Sequence, residues 1–385
     1  MTMLVDWGIE LLKGVGRLFL NPLLYWAVLL VLIVGLKRHQ RDRRNFGMKI
    51  FGQGTEVSYT ILPSLIIGAV ISLLMVGVGV VFSYQTLMVL AVVVILLSVS
   101  FRLTLLSASY TIGVAYIVLL FLPLIFTRQS YFEKNLFSNT NFVGLAILLG
   151  VFLIVEGIIL KRVKKSHTYP DLMLSERGGW IGQHHLGKMA VIPFFTLIPA
   201  GAIEPFAEYW PYVSFGGDSY GLLVFPFIIG FDYAARGSQP EKAAEKLAGS
   251  IILLGFFVLL LSIGSVFAGW LSAVAIVFGI VGKEWINYRH RVSESSKRPY
   301  FPAGDGGLTI LDIIPDSPAE RLDIIAGDHV KKVNGQQVAS IQSFYEALQG
   351  SGAFFKLELI DTRGEVRFVQ GALYEGNTMN WASYL

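Results

Sequence analysis

The chain has 385 residues, of which 54% are hydrophobic and only 15% are charged, and its mean hydropathy is +0.60. Soluble domains carry about 25% charged residues, so this composition argues against an ordinary soluble protein and predicts that most of the chain lies in a lipid bilayer. The absence of cysteine excludes a disulfide framework and a thiolate metal site. The net charge of +4 is small, and we expect no nucleic-acid partner.

The first 36 residues contain the first predicted membrane span. Residues 1–18 place apolar side chains at helical spacing, which fits either an interfacial amphipathic helix or the lead-in to a span, and we favour the lead-in. Residues 18–36 are long enough, at about 1.5 Å per residue, to cross the hydrocarbon core. A basic cluster follows rather than a small-residue cleavage site, so the pattern does not predict a cleavable signal peptide.

The basic cluster after this span indicates its orientation. Loops with an excess of Lys and Arg stay in the cytoplasm, which would place the amino terminus outside. The same side chains are candidates for an anionic-lipid contact, although a topological role is sufficient to explain them. The cluster comprises Lys37, Arg38, Arg41, Arg43, Arg44 and Lys49.

Further apolar blocks predict an α-helical polytopic membrane domain of about 7–9 transmembrane helices. Two blocks separated only by Phe101 and Arg102 are either a tight hairpin or one broken span, and the last block is expected to turn near Gly269 and Trp270. With both hairpins the chain would cross the membrane about nine times. Three prolines should bend the block 189–206. The blocks are 61–83, 86–100, 103–126, 142–160, 189–206, 219–235 and 248–282.

Three acidic residues, Glu156, Glu204 and Asp232, lie within or beside predicted spans. A charged group inside a membrane is costly and is often functional. All three lie within a turn or two of a predicted span end, where a side chain can reach water. We therefore expect them to anchor the membrane boundary rather than to form a proton or ion pathway.

The stretch 312–335, DIIPDSPAERLDIIAGDHVKKVNG, predicts a strand, a turn, one helical turn, a second strand and a tight turn. Pro318 suits the first position of a helix that Ser317 can cap, and Asn334–Gly335 supplies the positive φ angles of a two-residue hairpin. This succession closely resembles the PDZ domain and its bacterial signature. A helix at 341–349 and strands at 354–360 and 366–369 complete the same order of elements.

We therefore expect four regions: a polytopic transmembrane domain (1–282), a juxtamembrane linker (283–299), a small mixed α+β PDZ domain in the cytoplasm (300–373) and a tail (374–385). The charge of the remaining basic loops agrees with this orientation.

The PDZ resemblance implies a groove in which a ligand's last residues add as a strand and its carboxylate meets backbone N–H groups. The loop that precedes the binding strand would be Tyr300, Phe301 and Pro302. The helix opposite would offer Phe344, Tyr345 and Leu348. Gly327, Asp328, Asn334 and Gly335 are expected to be scaffold residues. Because the chain itself ends Ser383-Tyr384-Leu385, a carboxyl terminus of the type that many PDZ domains bind, self-capping of the groove is a hypothesis.

The motifs of membrane proteases are missing from the sequence. None of the six histidines begins an HExxH, and no GxSG or GNSGG occurs. The adjacent His184 and His185 would point about 100° apart on a helix and could not share a metal, and we place them in the loop before block 189–206. We expect no enzyme activity, no metal and no cofactor. A protease-like protein or its inactive derivative, and a transporter with a regulatory PDZ domain, are the alternatives.

The arrangement of a polytopic membrane domain, a terminal PDZ domain and no catalytic motif resembles a family of topological determinants of cell division in Gram-positive rods. The opening WGIELLK (7–13), the basic loop and the SASYT run (107–111) carry the likeness. The resemblance implies an adaptor that links the scaffold DivIVA to the division inhibitor MinD, so that MinCD restricts FtsZ rings near poles and finished septa. It also implies contacts with other division proteins and enrichment at septa and poles of the cell membrane, and it leaves self-association open.

Overall fold

A computed structural model of the chain describes residues 2–46, 55–126, 139–163, 168–175, 178–214, 219–302, 306–313, 319–350, 352, 354–361, 363–372 and 382–384. The predicted turn at 315–318, its cap and Lys49 lie outside these ranges. The amino-terminal three quarters contain the helices α1 (Thr2–Phe19), α2 (Pro22–Phe46), α3 (Thr55–Val78), α4 (Tyr84–Ser98), α5 (Ala108–Phe126), α6 (Phe142–Lys161), α7 (Pro240–Gly264) and α8 (Leu271–Ser296).

Within the described residues, five helices are long and apolar enough to cross a membrane, namely α2, α3, α6, α7 and α8, and two shorter apolar helices are α4 and α5. The expected helical membrane part is therefore confirmed. The blocks on either side of Phe101 and Arg102 are separate helices joined through a short 3₁₀ turn, Leu103–Leu106. The last apolar block also divides as expected, because α7 ends at Gly264 and α8 begins at Leu271.

Helix α1 is separate from the first span, so its interpretation as a lead-in to that span was wrong. It ends at Phe19, and α2 begins at Pro22 after a short turn in which the Leu20 N–H donates to the Arg17 carbonyl. Helix α2 continues to Phe46, so the described members of the basic cluster lie on its last turns rather than in a loop. Helix α8 likewise continues through most of the segment 283–299, which we had expected to be a linker.

Two predicted spans are instead a long β-hairpin. The blocks 189–206 and 219–235 form β3 (Lys188–Ile203) and β4 (Tyr220–Phe231), which pair antiparallel from Lys188–Phe231 to Pro199–Tyr220. Every residue of β4 is buried, so the strand lacks the alternation that reveals a strand with one exposed face. Pro193 lies opposite Pro226 in this ladder, whereas a proline inside a helix would remove a hydrogen bond and clash with the preceding turn.

The surrounding helices and the segment between α3 and α4 cover the edges of this hairpin. On the β3 side, the Phe195 N–H donates to Ser72 Oγ at 2.8 Å, and the Phe82 N–H donates to the Leu197 carbonyl at 2.9 Å. On the β4 side, the Leu222 carbonyl accepts from Arg17 of α1 at 2.5 Å. A strand edge that faces hydrocarbon would leave polar backbone groups without partners, so these contacts allow a hairpin to lie inside an apolar helical bundle.

A small sheet lies at the end of the membrane part that is nearest the carboxy-terminal domain. Strands β1 (Tyr169–Leu174), β2 (Trp180–His185) and β5 (Ala234–Ala235) pair in that order, and β6 (Phe301–Pro302) also pairs with β2. Since β6 lies at the start of the carboxy-terminal region 300–373, this sheet joins the two parts of the chain.

The carboxy-terminal domain contains one sheet of order β11-β10-β8-β7-β12, with β9 paired to β8. Its core combines side chains of the sheet with Phe344, Ala347 and Leu348 of α9. The elements are β7 (Leu308–Ile313), a 3₁₀ turn (Glu320–Leu322), β8 (His329–Val333), β9 (Gln336–Gln337), α9 (Ile341–Gln349), β10 (Phe354–Ile360), β11 (Val366–Ala372) and β12 (Ala382–Tyr384).

Candidate functional site

The candidate site is the edge of β7 that faces away from β8, and strand β12 of the same chain pairs with it. Strand β12 pairs antiparallel with β7, with Ala382 opposite Ile313 and Tyr384 opposite Ile310. The end of the chain therefore points toward the beginning of β7. This is the direction that a peptide takes when its carboxyl terminus is bound by strand addition.

Helix α9 supplies the other predicted side of the groove. Phe344 and Leu348 are buried in the same cluster as Leu308 and Ile310 of β7, so they are core side chains of the domain. Tyr345 is partly buried and packs on that cluster, with its ring 5.4 Å from that of Phe344. A serine cap holds the start of α9, where Ser340 and Ser343 satisfy each other's backbone N–H groups.

Four residues of the signature lie in the turns directly before and after β8. Gly327 has a φ of +100°, and its N–H donates to the Ile310 carbonyl at 2.8 Å. Asp328 is fully buried, where it accepts from the Ile325 N–H at 3.1 Å and from Arg367 Nη2 at 2.6 Å. Asn334 and Gly335 both have positive φ angles between β8 and β9, as the hairpin turn requires.

The predicted carboxylate loop joins the domain to the membrane part. The Tyr300 N–H donates to the Arg236 carbonyl at 2.7 Å, and Pro302 lies opposite Ile181 of β2. Phe301 is fully buried, with its ring stacked 4.9 Å from that of His184. These three residues form a contact between the two parts of the chain, and a role in carboxylate binding stays a prediction.

A different pair of residues, Gly306 and Gly307, directly precedes β7. Gly306 has a φ of +80°, and a Cβ at Gly307 would lie 2.9 Å from the Val330 carbonyl oxygen, which only glycine avoids. Because β12 points toward this end of β7, the two glycines are the better candidates for the place where a ligand's terminus would lie. The Gly-Gly pair next to a predicted strand was the sequence signal for them.

His184 of the membrane part contacts the same edge of β7. Its Nε2 lies 2.8 Å from the Leu311 carbonyl oxygen and its Nδ1 lies 2.7 Å from Thr168 Oγ1. Burial lowers the pKa of His184 to about 4, so the neutral ring donates to Leu311 and accepts from Thr168. The pairing of β12 shifts register at this point and passes over Leu311. The tail strand and the membrane part therefore share one edge of the domain.

His185 forms the second link of this sheet. Its two ring nitrogens lie 3.1 Å from Asp171 Oδ2 and 2.9 Å from Asp232 Oδ1. Burial and the positive charge of Arg41 both lower the pKa of His185. The two carboxylates outweigh these effects, and the pKa rises to about 9. Asp232, which we had expected to anchor a span end, thus joins the end of the hairpin to the small sheet.

This bridge predicts a pH dependence. A group whose pKa is higher in the folded state contributes stability that is complete below its ordinary value, near 6.5, and is lost as pH rises through about 9. We expect the unfolding temperature of the detergent-solubilised chain to fall by about 2–4 °C for each kcal/mol lost between pH 7 and pH 10. His185→Gln should remove most of this dependence, and an unchanged pH profile in that variant would contradict the assignment.

A buried ion pair lies inside the membrane part. Glu156 of α6 and Lys283 of α8 are 0% and 1% exposed and form a direct salt bridge. Ser107 donates to Glu156 Oε2 at 2.6 Å, and the Tyr233 hydroxyl donates to Oε1 at 3.4 Å. The expectation that the Glu156 side chain reaches water was therefore wrong, because the side chain is fully buried. Its partner Lys283 lies 127 residues further along the chain.

Among the described residues, no group of His, Asp and Glu side chains is arranged to hold a metal ion. His184 and His185 end strand β2 rather than lying in a loop, and each has a separate set of partners. The fold and the site define a membrane protein with several apolar helices and a carboxy-terminal domain that presents a sheet edge for strand addition.

Comparison with known proteins identifies this domain and the family. A family model described as the PDZ domain matches residues 309–354. The cell division topological determinant MinJ of Bacillus subtilis is 33% identical over 377 residues, which cover 97% of this chain and 94% of that protein. Probable MinJ proteins of Lacticaseibacillus paracasei and Lacticaseibacillus casei are 20% identical over 375 residues, 94% of this chain and 95% of theirs. No solved structure matches. The chain belongs to the MinJ family of cell division topological determinants, which confirms the resemblance.

Proposed function

We propose that the chain is a non-enzymatic membrane adaptor in division-site selection, which links the polar and septal scaffold DivIVA to the division inhibitor MinD. Through MinCD it would restrict FtsZ ring assembly near poles and finished septa. Membership of the MinJ family supports the role in division, and the two named partners follow from the resemblance of the whole chain to that family.

The observation that carries the adaptor proposal is the pairing of β12 with β7. The edge of β7 accepts an antiparallel strand, with Ser383 opposite Asp312 and Tyr384 opposite Ile310. Strand addition provides main-chain hydrogen bonds for affinity, while side-chain pockets provide specificity. A partner segment of extended conformation can use the same edge, so the domain suits recognition of a protein.

The connection between the two parts supports a fixed display of this edge. Strand β6 pairs with β2, and Phe301 is enclosed next to His184. A module held at the membrane has a raised effective concentration toward partners that are themselves bound to the membrane. We place the PDZ domain in the cytoplasm, as the basic end of α2 favours, and we assign it residues 300–373.

A two-hybrid test with DivIVA and MinD examines the proposal. We expect both to interact with the wild-type chain. Tyr345→Glu, which places a charge on the partly buried face of α9, should weaken the interaction that uses the groove, and Gln342→Ala on the exposed face of α9 should not. If the wild-type chain binds neither protein under conditions in which known partners do interact, the adaptor proposal is wrong.

A further inference from the structure

A basic cavity of about 240 Å³ lies where the apolar part of α2 ends. One wall comes from the last turns of α2, a second from the connection between α4 and α5, and a third from the small sheet that carries the PDZ domain. Apolar side chains, including Val34 and Leu103, also line this cavity. The charged side chains that line it are Lys37, Arg38, Arg41, Arg102, His185 and Asp232.

The charge of this cavity is strongly positive. Lys37, Arg38, Arg41 and Arg102 are cationic, and His185, with its pKa raised to about 9 despite burial, is cationic at neutral pH as well. Asp232 is the acidic group in the lining, and Asp171, which is not part of the lining, also contacts His185. Among the residues that the structure describes, no carboxylate lies within ion-pair distance of Lys37, Arg41 or Arg102.

Aromatic rings hold two of the cations in place. Lys37 Nζ lies 3.7 Å from the centre of the Phe101 ring, and Arg38 Cζ lies 3.2 Å from that of Tyr169. Contacts of this kind stabilise a cation without neutralising its charge. The cavity therefore keeps preorganised donors for an anion, and guanidinium groups match phosphate oxygens particularly well.

We propose that this cavity binds the phosphate headgroup of an anionic phospholipid. The lining combines apolar residues at the end of a membrane helix with several cationic side chains, and a headgroup whose acyl chains remain in the bilayer needs both. Basic pockets between membrane helices are suited to lipid headgroups for this reason. The site is distinct from the peptide edge of β7, and its occupancy does not depend on which proteins the PDZ domain binds.

The test compares two charge-matched double variants of the full-length chain. Lys37→Gln with Arg102→Gln removes two exposed cations from the cavity, and Arg43→Gln with Arg44→Gln removes two exposed cations from the same end of α2 outside the lining. Each protein is purified in neutral detergent, and phosphatidylglycerol binding is measured by native mass spectrometry. Phosphatidylcholine and inorganic phosphate serve as the comparison ligands, and elution profiles establish that each variant is folded.

We expect wild type to bind phosphatidylglycerol in preference to phosphatidylcholine, and the cavity variant to lose about 10- to 30-fold in affinity while the control variant changes by less than about threefold. Equal losses in both variants would mean that only the diffuse surface charge attracts the lipid, and would overturn the proposal. Equal binding of the two lipids by wild type would overturn it too. Saturation of the cavity by inorganic phosphate at the same concentration would assign the site to free phosphate instead.

Discussion

Lys283→Met is expected to destabilise the membrane part by about 3–5 kcal/mol, because it leaves the fully buried Glu156 carboxylate without its cation. Thermal unfolding in detergent should show a loss of roughly 10 °C relative to wild type. The double variant Glu156→Gln with Lys283→Met should recover most of this loss. Its glutamine oxygen can still accept from Ser107, its NH2 group can donate to the Tyr233 hydroxyl oxygen, and no isolated charge remains.

Lys161→Met is the matched control for this prediction, because Lys161 is an exposed cation at the end of the same helix as Glu156. We expect it to change the unfolding temperature by no more than about 2 °C. If Lys283→Met were as stable as Lys161→Met, the buried pair would not be a structural link between α6 and α8, and the arrangement of the helices around it would be wrong.

Removal of residues 382–385 is expected to raise the affinity of the PDZ domain for an added peptide. The tail strand competes for the edge of β7 as an intramolecular ligand. With an effective concentration of about 1 mM and a dissociation constant in the range of about 10 μM, it would weaken the apparent affinity by up to about 100-fold. The probe is a labelled peptide with the sequence of residues 376–385, titrated against the full-length and shortened chains in detergent.

A second variant separates strand pairing from mere chain length. Ser383→Pro keeps the length of the tail but places a residue without an N–H in the middle of β12, so it should raise peptide affinity nearly as much as the deletion. Gln370→Ala, an exposed change on β11 away from this edge, should leave the affinity unchanged. Equal affinities of the full-length, shortened and Ser383→Pro chains would exclude occupation of the groove by the tail.

The carboxy-terminal domain could be predicted from sequence because its signals are local. Asn334–Gly335 favours the positive φ angles of the hairpin turn found between β8 and β9. The spacing of apolar residues predicted a helix over 341–349, which are the observed bounds of α9. The ending Ser383-Tyr384-Leu385 also suggested that the chain caps its own groove. The register of β12 passes over Leu311, where His184 bonds. Because His184 is far away in the chain, this shared edge had no local signal.

The β3–β4 hairpin could not be predicted by the same reasoning. A strand that is buried on both faces reads as a continuous apolar run, and its length matched that of a membrane helix. Its prolines were taken as bends in a helix, whereas Pro193 and Pro226 face each other in a β ladder. Edge partners such as Ser72 and Arg17 make the hairpin possible, and they come from helices more than a hundred residues earlier in the chain.

The prediction for Glu156 was wrong for a related reason. Glu156 was placed near a span end by counting residues, but burial depends on what packs around a position, and α8 passes directly beside α6 at this point. The two histidines were expected in the loop before block 189–206, but they end strand β2. On β2 they have opposite surroundings, so His184 bonds to the PDZ domain and His185 to Asp171 and Asp232.

The most direct test of the central claim, that this membrane protein is an adaptor for division proteins, is the cellular position of a fluorescent fusion of the full-length chain. We expect the wild-type fusion to be enriched at septa and poles, the Tyr345→Glu fusion to lose part of that enrichment at equal protein levels, and the Gln342→Ala fusion to keep it. Even staining of the whole membrane by the wild-type fusion, with no change in either variant, would contradict the account.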